Sequence, residues 1–263
     1  MNKDLSFYFF DFDDNIMYLT TTIYLKNMVT KEIVEVSTGE FANIHPSLGK
    51  SGKWADFDMF DGSYSNFSDI PTDQLLPDQK QHLVEDIEKA IKNDPSVWQA
   101  PSWNLFAYAC EKQRPVSIVT ARSHSPETIK AGIKALVDHK LIAMEPEYLS
   151  VFPVGNDAVR INELGDDQLE MTTPALKKRA IIKTVDMAMD KYGLEPAHRF
   201  GMSDDDPQNV DLIIAAMCEC KKKYMDKRFF VINTHIDEMV KLEVFPINVP
   251  VTHQISGHKE ELL

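Results

Sequence analysis

The sequence predicts an α/β fold built on a doubly wound, mainly parallel sheet. Three observations point to it. Phe7-Tyr8-Phe9-Phe10 is a short, unbroken apolar run bounded by polar residues, the pattern of a strand buried on both faces. From Val116 onward, apolar runs of strand length alternate with helical stretches, which implies parallel strands joined by right-handed crossovers. Several of those runs end in polar groups, and in open α/β sheets ligands bind just beyond the carboxyl ends of the strands.

The elements follow in chain order. Tyr18 to Leu25 and Ile33 to Ser37 are rich in β-branched and aromatic residues around a polar turn, and read as a β-hairpin. Residues 39–77 read as irregular, but Trp54, Phe57, Phe60, Tyr64 and Phe67 are too many aromatics for a disordered linker. Apolar residues at 83, 87, 90 and 91 make 82–92 an amphipathic helix stopped by Pro95. Pro101 to Gln113 is a second helix, with proline in its first turn. Val116 to Val119 is a buried strand that delivers Thr120. Ser125 then caps a helix with Pro126 and Glu127 in its first turn.

Leu149 to Val154 is the next strand, and 156–171 reads as an acidic loop. Thr173 caps a long helix with Pro174 at its first position and Gly193 at its end. Lys177, Lys178 and Arg179 near its start oppose the helix dipole, so at least one should face an anion. His198 to Asp206 is a strand running into carboxylates, with Asp206 and Pro207 opening a helix. Arg228 to Asn233 is a last buried strand, and from about residue 246 the chain reads as an edge segment and a loose tail. The boundaries are therefore 1–38 and 100–245 for the core, 39–99 for an insert and 246–263 for the tail.

Composition narrows the function. A net charge of −13 argues against non-specific nucleic-acid or anionic-membrane binding, while leaving room for a phosphorylated substrate in a locally positive site. No apolar stretch approaches the ~20 residues of a membrane span, and Asp11 ends the N-terminal apolar run too early for a signal peptide. Three cysteines without a second ligand pair do not form a zinc set, and such sparse usage fits a reducing cytoplasm.

Four strand ends carry chemistry. Asp11, Asp13 and Asp14 crowd after the first strand, where carboxylates repel unless a cation or proton sits among them. Thr120 lies just ahead of a helix N-terminus, a natural anion site. Lys177 follows the third strand's loop, and Asp204 and Asp205 end the fourth. Together they compose one site: a carboxylate nest for a hard cation, a hydroxyl and helix end for an anion, and a lysine for balance.

This ordered set resembles the haloacid dehalogenase (HAD) superfamily, in its phosphatase branch. Phe10-Asp11-Phe12-Asp13-Asp14-Asn15 is similar to its D-x-D motif, although Asn15 is less usual there than Thr or Val. Ile118-Val119-Thr120 is similar to the second motif, Lys177 (with Lys178 as alternate) to the third, and Ser203-Asp204-Asp205 with Asn209 to the fourth, in a variant that ends in Asn. The likeness covers about 1–38 and 100–235. It implies a Rossmann-like core and a Mg²⁺-dependent phosphomonoester hydrolase. Asp11 would be the nucleophile and Asp13 the general acid and base. Asp11, the Asp13 carbonyl and Asp204 would hold Mg²⁺, with Asp205 or Asn209 completing the shell. Thr120, Ala121, Arg122 and Lys177 would meet the phosphorylated substrate. The hairpin and the 39–99 insert fall where the family places a flap and a C1-type cap.

His124 reads as a surface loop residue more readily than as a substrate contact, and Asp14 as facing solvent or shaping the turn into the hairpin. The nearest alternatives are a phosphotransferase of the same superfamily and a catalytically weak protein that binds a phosphorylated ligand. A receiver-type signalling module fits poorly, because no isolated Asp closes the strand at Val151 to Val154.

Overall fold

The computed structural model describes residues 4–234, 239–245 and 252–255. In chain order the strands and helices are β1 (Ser6–Phe10), β2 (Thr22–Asn27), β3 (Ile33–Ser37), α1 (Thr38–Ile44), β4 (Phe57–Asp58), α2 (His82–Ala90), α3 (Pro95–Trp98), α4 (Trp103–Glu111), β5 (Pro115–Thr120), α5 (Pro126–Asp138), β6 (Glu147–Pro153), α6 (Asp157–Asn162), α7 (Thr173–Tyr192), β7 (Arg199–Asp204), α8 (Pro207–Lys223), β8 (Arg228–Asn233), β9 (Val240–Val244) and β10 (Thr252–Ile255).

The main sheet has the order β10-β9-β8-β7-β1-β5-β6. From β8 to β6 every pairing is parallel, whereas β9 and β10 add antiparallel at one edge. β1 sits inside the sheet because its side chains are apolar on both faces. Phe7 and Phe9 enter a core built with α7 and α8, and Tyr8 and Phe10 enter a second core with α2, α4 and α5. Each of these large side chains contributes about 1.5–3 kcal/mol by leaving water. From β1 the chain steps through β5 to β6, then returns to the other side of β1 and continues through β7 to β8. The boundary between β1 and β7 is thus the topological switch point, the place where open α/β sheets bind their ligands.

A second sheet, β3-β2-β4, is antiparallel and has its own small core of Ile23, Leu25, Val36, Leu48 and Phe57, with Trp54 packed against it. The stretch 39–99 divides between two packing groups. Its first part completes this small sheet, while Leu83, Ile87, Ala90 and Trp98 join the main core.

Local differences from the sequence reading have local causes. The hairpin's first strand begins at Thr22, not Tyr18. Residues 38–44, read as irregular from 39, form α1 under a capping box between Ser37 and Glu40. Residues 157–162, within the supposed acidic loop, form α6, capped by the Asn156 side chain. The long helix is capped by Thr172, one residue earlier than Thr173, with Gly193 at its end at φ +90°. The second helix starts at Trp103, two residues beyond Pro101, and β9 was not anticipated. Of the last stretch, 252–255 form the edge strand; the rest of the tail lies outside the described residues. Among the described residues, no helix is long and apolar enough to cross a membrane.

Candidate active site

The β1 and β7 ends bring the carboxylates together. The Asp11 N–H donates to the Ser203 carbonyl at 3.2 Å, so the two strands remain paired as Asp11 emerges beside Asp204. One oxygen from each of Asp11, Asp204 and Asp205 lies within 4.8 Å of the others. Asp11 and Asp204 are buried and Asp205 is half-buried.

Lys177, 3% exposed on the second turn of α7, reaches this group. Its Nζ lies 3.1 Å from Asp11 Oδ2 and 3.4 Å from Asp204 Oδ2. The two other cations of that helix go elsewhere: Lys178 pairs with Glu219 at 2.8 Å, and Arg179 donates to the carbonyls of Leu164 and Gly165. Lys177 is therefore the lysine at the site.

One ammonium does not balance three carboxylates. Burial pushes the Asp11 carboxyl up to about 8; Lys177 pulls it back, and Asp204, Asp13 and Asp205 push it further. Burial and then Asp204 raise Asp205 to about 7. Burial alone would lower Lys177, but Asp11 and Asp204 outweigh it and hold its pKa above that of a free lysine. Asp11 Oδ1 is buried without a hydrogen-bond partner. An all-oxygen donor set with an orphaned acceptor and excess negative charge suits a hard divalent cation. Asp204 Oδ1 is already oriented by the Asp206 N–H at 3.1 Å and by Asn209 Nδ2 at 3.0 Å. Asn209 thus holds a carboxylate of the group.

The Asp13 carboxylate is not part of that group. Both its oxygens accept from Arg122, at 2.8 Å from Nε and 2.6 Å from Nη2. Arg122, expected to meet substrate, is buried and committed to this pair and to Thr21 Oγ1. Asp14 takes φ +55°, a region Asp tolerates, and its N–H donates to the Met17 carbonyl at 2.9 Å, so it does shape the turn. Burial raises its carboxyl to about 6.

Thr120 ends β5 two residues beyond the Phe10–Ile118 pair, at the same edge of the sheet as Asp11. It is buried, its Oγ1 accepts from the Arg122 N–H at 3.3 Å, and Ala121 beside it is exposed. Ser125 caps α5 through the Thr128 N–H. The turn is clamped from β6: Gly155 N–H donates to the Arg122 carbonyl at 3.1 Å and Asn156 Nδ2 to the Ser123 carbonyl at 3.0 Å.

The sequence does not reveal the role of Asn15, and the structure corrects the placement of His124. Asn15 is a buried hub. Its Nδ2 donates to the Asp11 carbonyl (3.1 Å), the Ser203 carbonyl (3.0 Å) and Ser203 Oγ (2.9 Å), and its Oδ1 accepts from Ser102 and Thr234. It ties the ends of β1 and β7 to α4 and to the end of β8. The only signal was an amide where a small or β-branched residue is usual. His124 is fully buried, not on the surface, and neither ring nitrogen has a partner. Burial, then Arg122, pushes its pKa down to about 3.

Compared with models of known protein families, with curated proteins and with solved structures, the chain matches none.

Proposed function

We propose that the chain is a Mg²⁺-dependent phosphomonoester hydrolase of the haloacid dehalogenase type that works through an aspartyl-phosphate on Asp11. One observation carries this reading. A single buried ammonium, Lys177, bridges two carboxylates at the ends of neighbouring parallel strands, while an oxygen of one of them stays buried and unpartnered. A purely structural ion pair needs neither the second carboxylate nor the orphaned oxygen.

Each residue type suits its step. An Asp11 oxygen attacks the phosphorus, and the bond to the ester oxygen breaks. Asp13 gives its proton to the departing oxygen, then takes one from the water that cleaves the aspartyl-phosphate, which releases inorganic phosphate and restores Asp11. Thr120 and the backbone after it, before the α5 N-terminus, hold phosphoryl oxygens. Lys177 offsets the charge that Asp11 and the phosphoryl group bring together. Asp11, Asp204, Asp205 and the Asp13 carbonyl would hold Mg²⁺. When bound, the ion supplies the positive charge that these carboxylates and the phosphoryl oxygens lack. The substrate is a small phosphorylated molecule.

The hairpin and its small sheet act as flap and C1-type cap in this reading. Support comes from their seat on the loop after Thr120, where the Ser123 N–H donates to the Phe67 carbonyl at 2.8 Å and the Ser125 N–H to Asp69 Oδ2 at 3.0 Å. Trp54 and Phe57 pack the small sheet's own core.

Turnover of p-nitrophenyl phosphate tests the function. Activity should require Mg²⁺, vanish in EDTA and fall by about 10³ or more in Asp11→Asn, as loss of a nucleophile does. Undiminished turnover by that variant, or in EDTA, overturns the reading.

A further inference from the structure

Arg122 was expected at the substrate, and its surroundings give it different work. Its side chain is wholly inaccessible to solvent. Burying a guanidinium is costly unless a carboxylate and well-placed hydrogen bonds offset it. Here the offset is Asp13, gripped at both oxygens. A two-pronged contact fixes the position and the plane of the carboxylate, which a single ammonium does not do. The guanidinium is held in turn. Nη2 donates to Thr21 Oγ1 at 2.8 Å, and Thr21 Oγ1 donates to Asp86 Oδ2 at 2.7 Å. Its central carbon lies 4.8 Å from the centre of the Phe67 ring, within cation–π range. Nη1 is buried as well and has no hydrogen-bond partner, so the guanidinium is held by its fork on Asp13, by Thr21 and by the Phe67 ring.

We propose that Arg122 is the positioning residue for Asp13: braced by Thr21 and Phe67, it holds the Asp13 carboxylate in its working orientation and ties that orientation to the docking of residues 67–69. The proposal rests on the phosphatase reading in so far as Asp13 serves there as acid and base. Two links join the same segments: the Ser68–Ser123 bridge, with Ser123 N–H donating to the Phe67 carbonyl, and the bond from Ser125 N–H to the Asp69 carboxylate. The guanidinium therefore sits where the β5–α5 loop, the small-sheet unit and the end of β1 meet.

A double-mutant cycle in steady-state kinetics with p-nitrophenyl phosphate tests this. Arg122→Lys keeps the charge and loses the fork. It should lower kcat about ten- to hundredfold, the penalty of a slightly misplaced catalytic group, with KM within about twofold. In an Asp13→Asn background the same substitution should change kcat by less than about twofold, because a residue that acts through Asp13 has nothing left to position. Equal losses in both backgrounds, or a raised KM with kcat unchanged, overturn the proposal; the latter marks a direct substrate contact. Amide hydrogen exchange supplies a readout without turnover. Arg122→Lys and Asp13→Asn should each speed exchange at Ser123 and Ser125 about fivefold or more while α8 keeps its protection. If the native protein hydrolyses no phosphomonoester, the phosphatase reading falls and exchange alone decides. Unchanged protection at Ser123 and Ser125 in both variants then overturns the positioning role.

Discussion

Asn15 and His124 show how single buried polar groups divide between those the site uses and those it tolerates. Every polar atom of the Asn15 amide is engaged: Nδ2 on the strand ends that carry Asp11 and Ser203, and Oδ1 on Ser102 and Thr234. Asn15→Asp keeps the shape but replaces the donor with a charge facing two carbonyls. Unfolding in urea should show a loss of about 2–4 kcal/mol, from unsatisfied carbonyls and an unpaired buried charge; a loss below a few tenths would show that the hub carries nothing. His124 is the opposite case. With its folded-state pKa near 3, it stays neutral while the unfolded chain takes up a proton below about 6.5, so stability is present above 6.5 and is lost as pH falls toward 3. His124→Phe should therefore stabilise the protein more at pH 5 than at pH 8, by about 2 kcal/mol. Equal gains at both values would place a proton acceptor, such as an ordered water, on the ring. Asp11, Thr120, Lys177 and Asp204 were legible in the sequence because each stands where a strand or loop runs out into polar residues. The Arg122–Asp13 pair and the Asn15 hub were not, because their partners lie 109 and up to 219 positions away and nothing local marks them.

At the scale of elements, the fold was legible where a segment's own composition decides its state. β1, β5 and β8 are apolar runs buried on both faces, and α5 and α7 carry proline and a capping hydroxyl at their starts. α1 escaped notice because Gly39 sits in its first turn and only the Ser37–Glu40 capping box marks its start. β9 escaped because its alternation, Val240, Leu242 and Val244, is short and does not set its burial: the buried positions are Lys241 and Val244. How elements approach one another was beyond reach, and two glycines show why. A methyl group at Gly132 would meet the Ile87 side-chain tip at 2.7 Å, where α5 crosses α2. That tip can rotate away, and alanine in a helix interior gains about 1 kcal/mol over glycine, so Gly132→Ala should be close to neutral in thermal unfolding. A methyl group at Gly155 would lie 2.5 Å from the Ala121 carbonyl oxygen and from Ser123 Oγ, and 3.0 Å from the Arg122 carbonyl. Backbone cannot step aside without moving the Thr120 loop. Gly155→Ala should cost about 1–3 kcal/mol and displace that loop, lowering activity beyond what lost folding explains. Indifference at 155 together with damage at 132 would invert this assignment.

Over the whole molecule the net charge is −13, and among the described residues Asp11, Asp204 and Asp205 gather at the switch point, where Lys177 faces Asp11 and Asp204. Without a metal, folding must bring these carboxylates together with one ammonium among them. The raised values of Asp11, near 8, and Asp205, near 7, express that strain. Between roughly pH 4 and pH 8 the folded protein then binds more protons than the unfolded chain, so these groups make metal-free stability fall as pH rises through that window. A divalent cation reverses the balance, because it binds the deprotonated group of three and competes with those protons. Mg²⁺ should therefore raise the melting temperature, and by more at pH 8 than at pH 6. At a concentration one hundred times its dissociation constant the gain is about 2.7 kcal/mol. Asp204→Asn keeps the acceptor oxygen that Asp206 and Asn209 orient but removes the charge, and should abolish most of that gain at both pH values. Differential scanning calorimetry with and without Mg²⁺ at the two pH values reads all of this without a substrate. A gain that survives Asp204→Asn, or one larger at pH 6, would place the cation away from the β1 and β7 strand ends.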